Sequence, residues 1–277
     1  MSDALGMWVD GVEGNLVPAD DRGLQYGDGL FETILVRDGN ARFLDAHLAR
    51  LERGLARLAI PFTAWRELRT DIARAVGRAP RLAILKIIVT RGSAETRGYA
   101  PPKTTRARRI MSLWPTSPVE HVHLEQGVQV NVTELRLAEA APLAGLKHLN
   151  RLENVLAAAE GLRGNAFELL LLSTRDQLVS GVMSNLFLVK EGELHTPLMD
   201  RAGVAGVMRQ IVLREAPLLG IAAREQELVL ADLFAADAMF ITNARIGVVP
   251  VRRVGEHVFG MSEIVKRLRA TIEALDA

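Results

Sequence analysis

Cysteine is absent from this 277-residue sequence, which excludes a disulfide framework and thiolate chemistry. A zinc site would have to rely on histidine and carboxylate side chains alone. The six histidines show no H-E-x-x-H spacing, so that metalloprotease arrangement is excluded as well. His121 and His123 stand two residues apart, a spacing that predicts a strand edge better than a metal site. We therefore expect no metal centre.

Aromatic residues and net charge are also low. Two tyrosines and three tryptophans offer little to a base-stacking surface, and a net charge of +1 gives no strong field toward nucleic acid or an acidic membrane. No apolar run is long enough to span a bilayer. The N-terminal stretch MSDALGMWVDGVEG shows neither the basic nor the apolar region of a signal peptide. The sequence predicts a soluble cytoplasmic protein that binds neither nucleic acid nor membrane.

Strand and helix patterns mix in the first part of the chain. The turn pair Asp-Gly in VDGVEG predicts a hairpin, and FETILVRDG and LAILKIIVTRG are typical of strands, as is RRIMSLWP. Leucines from Leu44 to Leu58 recur at helical spacing, with Asp45 as the predicted N-cap, and a second helix is expected over about 63–77. Two prolines and weak periodicity between 114 and 128 then indicate a domain junction.

The same mixture continues after the junction. VQVNVTELRL and FELLLLS predict strands, NLFLVKEGELHT predicts a hairpin, and ADLFAADAMFITNARIGVVPV predicts a short helix and a strand. Helices are expected over about 150–162, at GVMRQIVLREAPLLG and at the C-terminal MSEIVKRLRATIEAL. We therefore predict an α/β protein (α+β mixed sheets) with a smaller N-terminal domain, 1–118, and a larger C-terminal domain, 119–277.

Lysine is scarce, with five residues against a large excess of arginine. One of them, Lys147, stands between the apolar run of residues 142–146 and a predicted helix. Partial desolvation there would disfavour the ammonium form, lower the pKa and make the amine a nucleophile suited to Schiff-base formation. The alternative is a lysine whose stem packs at a helix N-terminus while its ammonium stays in water. A cation at that end of a helix is electrostatically unfavourable, which weakens the alternative.

Three further stretches are candidate anion sites. Gly206 precedes a predicted helix, so the N–H groups of Val207 and Met208 could hold a phosphate, although an ordinary glycine-containing loop explains the pattern too. Arg50 in HLARLE could reach a phosphate or simply be solvated. The loop TRGSAETRGYAPP carries Arg91 and Arg97, which either bind a carboxylate or lie on the surface.

The order of these motifs along the chain resembles one enzyme family. RGLQYGDGLFET, HLARL, RGSAETRGY, LKHLNRLENV, VSGVMSNLFLV and GVMRQIV occur in the sequence order of the fold-type IV pyridoxal-phosphate enzymes. That family includes branched-chain aminotransferases, D-amino acid aminotransferases and 4-amino-4-deoxychorismate lyases. The resemblance covers nearly the whole chain. It implies a D-amino acid aminotransferase-like two-domain fold, with the cofactor between the domains and its lysine in the C-terminal one.

The resemblance also implies roles for individual residues. Lys147 would form an internal aldimine with pyridoxal 5'-phosphate, and Arg50 would pair with the phosphate. The remaining phosphate contacts would come from Val207, Met208, Asn243 and Ala244. The family usually forms a homodimer in which a loop of one subunit closes the site of the other.

One position departs from the family pattern. The family commonly has Thr-Glu-Gly before its SNLF-type run, and that glutamate pairs with the pyridine nitrogen. Here Ser180 takes its place. A carboxylate keeps the nitrogen protonated and the ring a strong electron sink, whereas a hydroxyl can only hydrogen-bond. A weaker sink would impair a transaminase more than a reaction whose product becomes aromatic.

The substrate-side residues favour one branch of the family. Phe31 replaces the tyrosine of D-amino acid aminotransferases, and Arg97-Gly98-Tyr99 replaces their Arg-x-His. RGSAETRGY and LKHLNRLENV resemble the 4-amino-4-deoxychorismate lyases most. That resemblance implies formation of 4-aminobenzoate and pyruvate, a step toward folate, with Arg97 and Tyr99 binding a carboxylate of the substrate across the dimer interface.

The sequence leaves alternatives for some substrate-binding residues and for the activity itself. Tyr26 and Thr33 are candidates to line the pocket, although Tyr26 could equally be a packing residue. A pyridoxal-phosphate aminotransferase acting on D- or branched-chain amino acids is the close alternative. A non-catalytic protein that binds the cofactor and a partner is a more distant one.

Overall fold

The computed structural model describes residues 3–94, 98–102, 105–161, 164 and 166–275. Its chain divides into two compact units by contacts, the first formed by Met1–Pro118 with Lys147–Asn150 and the second by Val119–Leu146 with Arg151–Ala277. Lys147 therefore groups with the first unit, whereas the sequence predicted it in the C-terminal domain. The cause is backbone pairing between residues 147–149 and a strand of the first unit.

The first unit is an antiparallel sheet with helices. Its strands are β1 (Gly6–Val9), β2 (Val12–Glu13), β3 (Gly29–Arg37), β4 (Asn40–Ala41), β5 (Leu82–Thr90) and β6 (Arg108–Pro115). Its helices are α1 (Arg22–Tyr26), α2 (Leu44–Arg57) and α3 (Trp65–Val76). Among the described residues the sheet order is β2-β1-β6-β5-β3-β4. The apolar face of α2 supplies buried side chains such as Leu51, as the leucine spacing predicted, and α3 supplies others such as Leu68.

The predicted start of α2 needs a correction. Its N-cap is Phe43, which has a left-handed backbone (φ 51°), and Asp45 lies in the first turn of the helix. The carboxylate of Asp45 still stands near the positive end of the helix dipole and is exposed there, pairing with Arg69 at 3.0 Å.

The second unit is a mixed sheet with helices. Its strands are β7 (Val128–Leu137), β8 (Glu168–Ser173), β9 (Leu178–Gly181), β10 (Asn185–Lys190), β11 (Glu193–Pro197), β12 (Ala223–Gln226), β13 (Ala238–Asn243), β14 (Gly247–Val254) and β15 (His257–Val258). Its helices are α4 (His121–Gln126), α5 (Leu152–Gly161), α6 (Val207–Leu218), α7 (Leu230–Phe234) and α8 (Glu263–Ala274).

The sheet of the second unit contains both kinds of strand pairing. Its order among the described residues is β12-β11-β10-β13-β14-β7-β8-β9, with β15 on β14. The β14–β7, β7–β8 and β11–β12 pairs are parallel, and the others are antiparallel. Phe187 and Phe240 stand opposite each other on β10 and β13 and stack at 4.9 Å in the core. The predicted α/β class with mixed sheets is confirmed.

The predicted strand edge at His121 and His123 is wrong, because both residues lie in α4. His123 packs edge-on against Phe167 at 5.2 Å, and Leu124 packs on the core of the unit. Within the described part of the chain, no helix combines the length and the apolar character needed to cross a membrane.

Candidate active site

The lysine segment lies along the first residues of β3. The backbone N–H of Phe31 donates to the carbonyl of Lys147 at 2.9 Å, and the N–H of Leu149 donates to the carbonyl of Gly29 at 3.0 Å. Asn150 adds a side-chain hydrogen bond to the carbonyl of Gly27 at 3.2 Å. A Cβ on Gly29 would come within 2.5 Å of the Val89 carbonyl and 2.9 Å of Leu149, so glycine is required where the segment approaches.

This pairing fixes which face of the sheet carries the lysine amine. Phe31 stands opposite Lys147, and paired residues of antiparallel strands point to the same face. The Lys147 Nζ atom accordingly lies 4.2 Å from the centre of the Phe31 ring. A second amine, Nζ of Lys86 on β5, lies 5.3 Å from the same ring. Phe31, predicted to contact substrate, is thus a direct neighbour of the predicted nucleophile.

Arg50 is held by a carboxylate that the sequence did not single out. Glu32 is almost fully buried and accepts hydrogen bonds from Nε of Arg50 at 2.8 Å and from Nη2 at 2.5 Å. His47 contacts the same carboxylate through Nδ1 at 2.6 Å. The alternation of β3 could have revealed Glu32, because a charge on the buried face of a strand requires a partner.

In the second unit, the start of α6 is built around a glycine. Gly206 is the N-cap, and its N–H donates to Oδ1 of Asn185 at 3.1 Å, while Nδ2 of Asn185 donates to the Val204 carbonyl at 2.9 Å. A Cβ at position 206 would collide with Oδ1 of Asn185. Val207 and Met208 follow as the first helical residues, where backbone N–H groups face outward along the axis and suit an anion.

Asn243 and Ala244 lie at the same edge of that sheet. Because β10 and β13 are antiparallel and Asn185 pairs with Thr242, the start of β10 meets the end of β13. The Asn243 side chain accepts hydrogen bonds from the N–H groups of Arg245 and Ile246, each at 2.9 Å, and donates to the Met183 carbonyl at 3.1 Å. The structure thus brings together the predicted phosphate contacts of the second unit.

Ser180 is buried on β9, and its hydroxyl donates to the carbonyl of Gly181 at 2.8 Å. The neighbouring strand carries Glu168, a second carboxylate that the sequence did not single out. Glu168 accepts hydrogen bonds from Leu169 N–H at 3.0 Å, from the Ser184 hydroxyl at 2.9 Å and from Met183 N–H at 3.1 Å. Burial raises the pKa of Glu168 despite these donors.

The predicted substrate loop is only partly described, since Arg97 lies outside the described residues. Tyr99 is highly exposed, and its ring meets that of Tyr26 edge-on at 5.5 Å. Arg22, a buried residue that the sequence did not single out, donates to the carbonyls of Gly98 and Tyr99, both at 2.9 Å. Arg22 is in turn held by Asp28 at 2.8 Å. This arginine anchors the loop to α1.

Metal ligands do not cluster in the part of the chain that the structure describes: no three His, Asp or Glu side chains there could hold an ion together. The groups gathered at the two sites are instead an amine, a guanidinium and backbone N–H groups. The amine and guanidinium of the first unit suit a carbonyl and an anion, and the helix-terminal N–H groups of the second unit suit an anion.

Comparison with known proteins identifies what the chain is similar to. A family model described as amino-transferase class IV matches residues 29–254. The aminodeoxychorismate lyase of Vibrio harveyi is 35% identical over 270 residues, covering 96% of this chain and 98% of that protein. The crystal structure of 4-amino-4-deoxychorismate lyase from Pseudomonas aeruginosa superposes with a TM-score of 0.92 at 44% identity, covering 97% and 98%. A putative branched-chain-amino-acid aminotransferase of Methanocaldococcus jannaschii is 31% identical, covering 95% and 92%.

Proposed function

The chain belongs to the class IV amino-transferase family, and from that premise we propose that it converts 4-amino-4-deoxychorismate to 4-aminobenzoate and pyruvate. Pyridoxal 5'-phosphate is its cofactor. One observation carries the choice of reaction: the similarity to two proteins named as aminodeoxychorismate lyases extends over nearly the full length of all three chains. The reaction places the protein in folate synthesis.

The residues of each unit fit the cofactor. In the first unit Lys147 offers an amine for the aldehyde, and Arg50 offers a guanidinium for the phosphate. In the second unit Val207 and Met208 offer helix-terminal N–H groups, and Asn243 and Ala244 form the turn at the end of β13. The bound cofactor supplies an electron-withdrawing ring that stabilises negative charge on the substrate carbon bearing the amine.

Lys147 also moves the proton that the reaction requires. Its neutral amine takes the proton from the ring carbon that carries the substrate nitrogen, as a general base held close to that carbon. The carbon–oxygen bond to the enolpyruvyl group then breaks, and the ring becomes aromatic. The Lys147 ammonium returns the proton to the methylene carbon of the departing enol, which gives pyruvate. The proton removed from the ring carbon is the one added to the methylene carbon, and the reaction needs no oxidant or reductant.

Ser180 supports a lyase over a transaminase. Its hydroxyl is engaged with the Gly181 carbonyl, and a hydroxyl cannot stabilise a protonated pyridine nitrogen by charge as a carboxylate does. The ring is therefore a weaker electron sink. Aromatisation of the product compensates for that weakness in the lyase reaction, and a transaminase has no such compensation.

The substrate carboxylates and the assembly complete the proposal. Arg97 and Tyr99 bind a carboxylate in the site of the second subunit of a homodimer, and the ring of Tyr26, at the end of α1, packs against that of Tyr99. The hydrogen bonds from Arg22 to the carbonyls of Gly98 and Tyr99 support a fixed position for Tyr99. Phe31 borders the substrate next to Lys147. A location in the cytoplasm stays a prediction.

The test is turnover by the purified protein. Given enzymatically produced 4-amino-4-deoxychorismate and no keto acid, the wild-type protein should release 4-aminobenzoate and pyruvate in equal amounts. Lys147→Ala should lower that rate by about a thousandfold or more.

A second activity has one observation in its favour, the similarity to the Methanocaldococcus jannaschii aminotransferase. Amino transfer from D-alanine or leucine to 2-oxoglutarate, without release of 4-aminobenzoate from the lyase substrate, would establish that activity instead.

A further inference from the structure

Three ionisable side chains form a buried cluster between β3 and α2, and only one of them, Arg50, has a role in the proposed function. Glu32 is 1% exposed, and His47 is fully buried. His47 and Arg50 are three residues apart on α2, so they lie on the same face of the helix and both reach the carboxylate of Glu32. The three residues are called the Glu32 triad below.

The charges of the Glu32 triad follow from its contacts. Burial opposes ionisation of Glu32, but the Arg50 guanidinium and the hydrogen bond from His47 outweigh it and hold the pKa of Glu32 at about 2. Burial lowers the pKa of His47 and outweighs the raising effect of Glu32, and the charges of Arg50 and Lys147 act in the same direction as burial. A neutral His47 then donates from Nδ1 to Glu32, because an ionised carboxylate only accepts.

The Glu32 triad lies directly next to the lysine site along the chain. Glu32 follows Phe31, whose ring contacts the Lys147 amine and whose N–H binds the Lys147 carbonyl. Successive residues of a strand point to opposite faces, so β3 presents Phe31 on the face of the lysine and Glu32 on the face of α2. Movement of this part of β3 would displace both groups together.

Stability alone is a weak reason for such a cluster, because a buried ion pair often contributes little compared with apolar residues of the same size. The first unit contains other buried ion pairs, and one of them allows comparison. Arg109 donates from Nε to Asp71 at 2.8 Å, with side chains 11% and 6% exposed. Asp71 lies on α3, outside the contacts described for Lys147 and Arg50.

We propose that Glu32 and His47 are positioning residues, which hold the Arg50 guanidinium in the orientation that binds the phosphate of the cofactor. The Nε and Nη2 atoms of Arg50 face Glu32, so the direction of the planar guanidinium is set by that carboxylate. His47 adds a third contact to the carboxylate, at Oε2, the oxygen that also accepts from Nη2 of Arg50. The inference rests on the proposed function, since it needs a cofactor with a phosphate.

The experiment compares binding of pyridoxal 5'-phosphate and of pyridoxal to the apoproteins, measured by absorbance titration. Pyridoxal has the aldehyde and ring but lacks the phosphate, so the ratio of the two affinities reports the phosphate contact. E32Q should weaken binding of the phosphorylated form by about tenfold or more and change pyridoxal binding little. D71N, which removes a comparably buried carboxylate from an arginine, should leave the ratio unchanged.

Two variants of His47 keep the test informative if E32Q folds poorly. H47N retains a side-chain N–H near the position of Nδ1 and should keep the preference for the phosphorylated form. H47L removes the donor and should lose most of that preference. In an Arg50→Ala background, E32Q should lower the ratio no further, because the group it positions is gone.

The outcomes separate the inference from the proposed function. An equal loss of pyridoxal and pyridoxal 5'-phosphate binding in E32Q, or the same loss in D71N, overturns the positioning role while the lyase proposal stands. If the wild-type protein binds neither compound, the proposed function fails, and the inference fails with it.

Discussion

At position 147, the side chain is placed by the backbone on either side of it. Hydrogen bonds from Phe31 N–H to Lys147 and from Leu149 N–H to Gly29 pair residues 147–149 with the start of β3 in an isolated antiparallel bridge. The amine therefore has a fixed direction, toward the ring of Phe31. The small number of lysines and the apolar run before position 147 pointed to this lysine in the sequence. Its pairing with residues more than a hundred positions earlier could not be predicted from the sequence.

The protonation state of the cofactor ring tests the role of Ser180. Because a serine hydroxyl replaces the usual carboxylate and donates to the Gly181 carbonyl, the pyridine nitrogen should be unprotonated near neutral pH. Nitrogen-15 NMR of the protein loaded with labelled cofactor measures this directly. A protonated resting nitrogen would show that another group supplies the charge, and the weaker-sink argument would then be wrong.

The acid stability of the protein tests the charge on Glu32. Its pKa is lowered from 4.5 to about 2 by the balance of burial, which opposes ionisation, and of Arg50 and His47, which favour it. Above the pKa of Glu32 in the unfolded chain, its ionised carboxylate contributes its full share of stability, about 3 kcal/mol. That contribution is lost as the pH falls toward the pKa of Glu32 in the folded protein. Denaturant unfolding between about pH 5 and pH 3 should show a steeper loss for wild type than for E32Q. Parallel curves would contradict the ionised assignment.

At the scale of the element, the start of α6 depends on one close contact. Gly206 fits against Asn185 because it has no Cβ, and Asn185 also holds the Val204 carbonyl. The loop is therefore shaped before any anion binds. The N-cap residue of α6, Gly206, forms no side-chain capping hydrogen bond, so the backbone alone shapes the start of this helix.

Gly206→Ala should displace Asn185 and weaken binding of pyridoxal 5'-phosphate by about tenfold or more. The reason is steric, since the new methyl group would meet Oδ1 of Asn185. Gly260→Ala is a matched control in the same unit, where the nearest atom to a new Cβ is 3.7 Å away. Titration of the two apoproteins makes the comparison, and an unchanged affinity in Gly206→Ala would remove α6 from the cofactor site.

Elements with strong periodicity could be predicted, and elements formed by tertiary contacts could not. The leucine spacing of α2 and the alternation of β7 are local signals, and both elements occur where they were expected. The six residues of α4 are too few to show a helical period, and its position follows from packing against Phe167 and the core. β12 has the sequence AREQ, which carries no strand pattern and is extended because it pairs with β11.

The same distinction applies to the candidate site. The family motifs point to positions beside or at the ends of elements: Lys147 pairs with β3, Met208 lies at the start of α6, and Asn243 ends β13. The buried carboxylates of Glu32 and Glu168 were missed, because the partners that hold each of them lie in another segment of the chain. A buried carboxylate on an alternating strand is the signal that could have found Glu32.

For the whole molecule, the predicted homodimer requires Arg97 of each subunit to lie in the site of the other subunit. If its loop completes the site of the partner subunit, one dimer contains two sites that each draw Lys147 and Arg97 from different chains. A chain that lacks the lysine can then still supply the arginine, and the converse also holds.

Mixed dimers of Lys147→Ala and Arg97→Ala chains test this arrangement. Each variant alone should be nearly inactive, whereas random mixing after dissociation should recover about a quarter of the wild-type turnover, because half of the dimers are mixed and each has one complete site. Lyase turnover before and after mixing gives the result. Inactivity of the mixture, with dimer exchange verified by mass, would place Arg97 and Lys147 of one chain in the same site.

The most direct test of the whole account is chemical. The native protein, loaded with pyridoxal 5'-phosphate, is reduced with borohydride and digested, and the peptides are mapped by mass spectrometry. The account predicts a phosphopyridoxyl group on Lys147, none on Lys86 although its amine lies beside the same phenylalanine ring, and none in Lys147→Ala. An unmodified Lys147 in protein that turns over 4-amino-4-deoxychorismate would contradict the account.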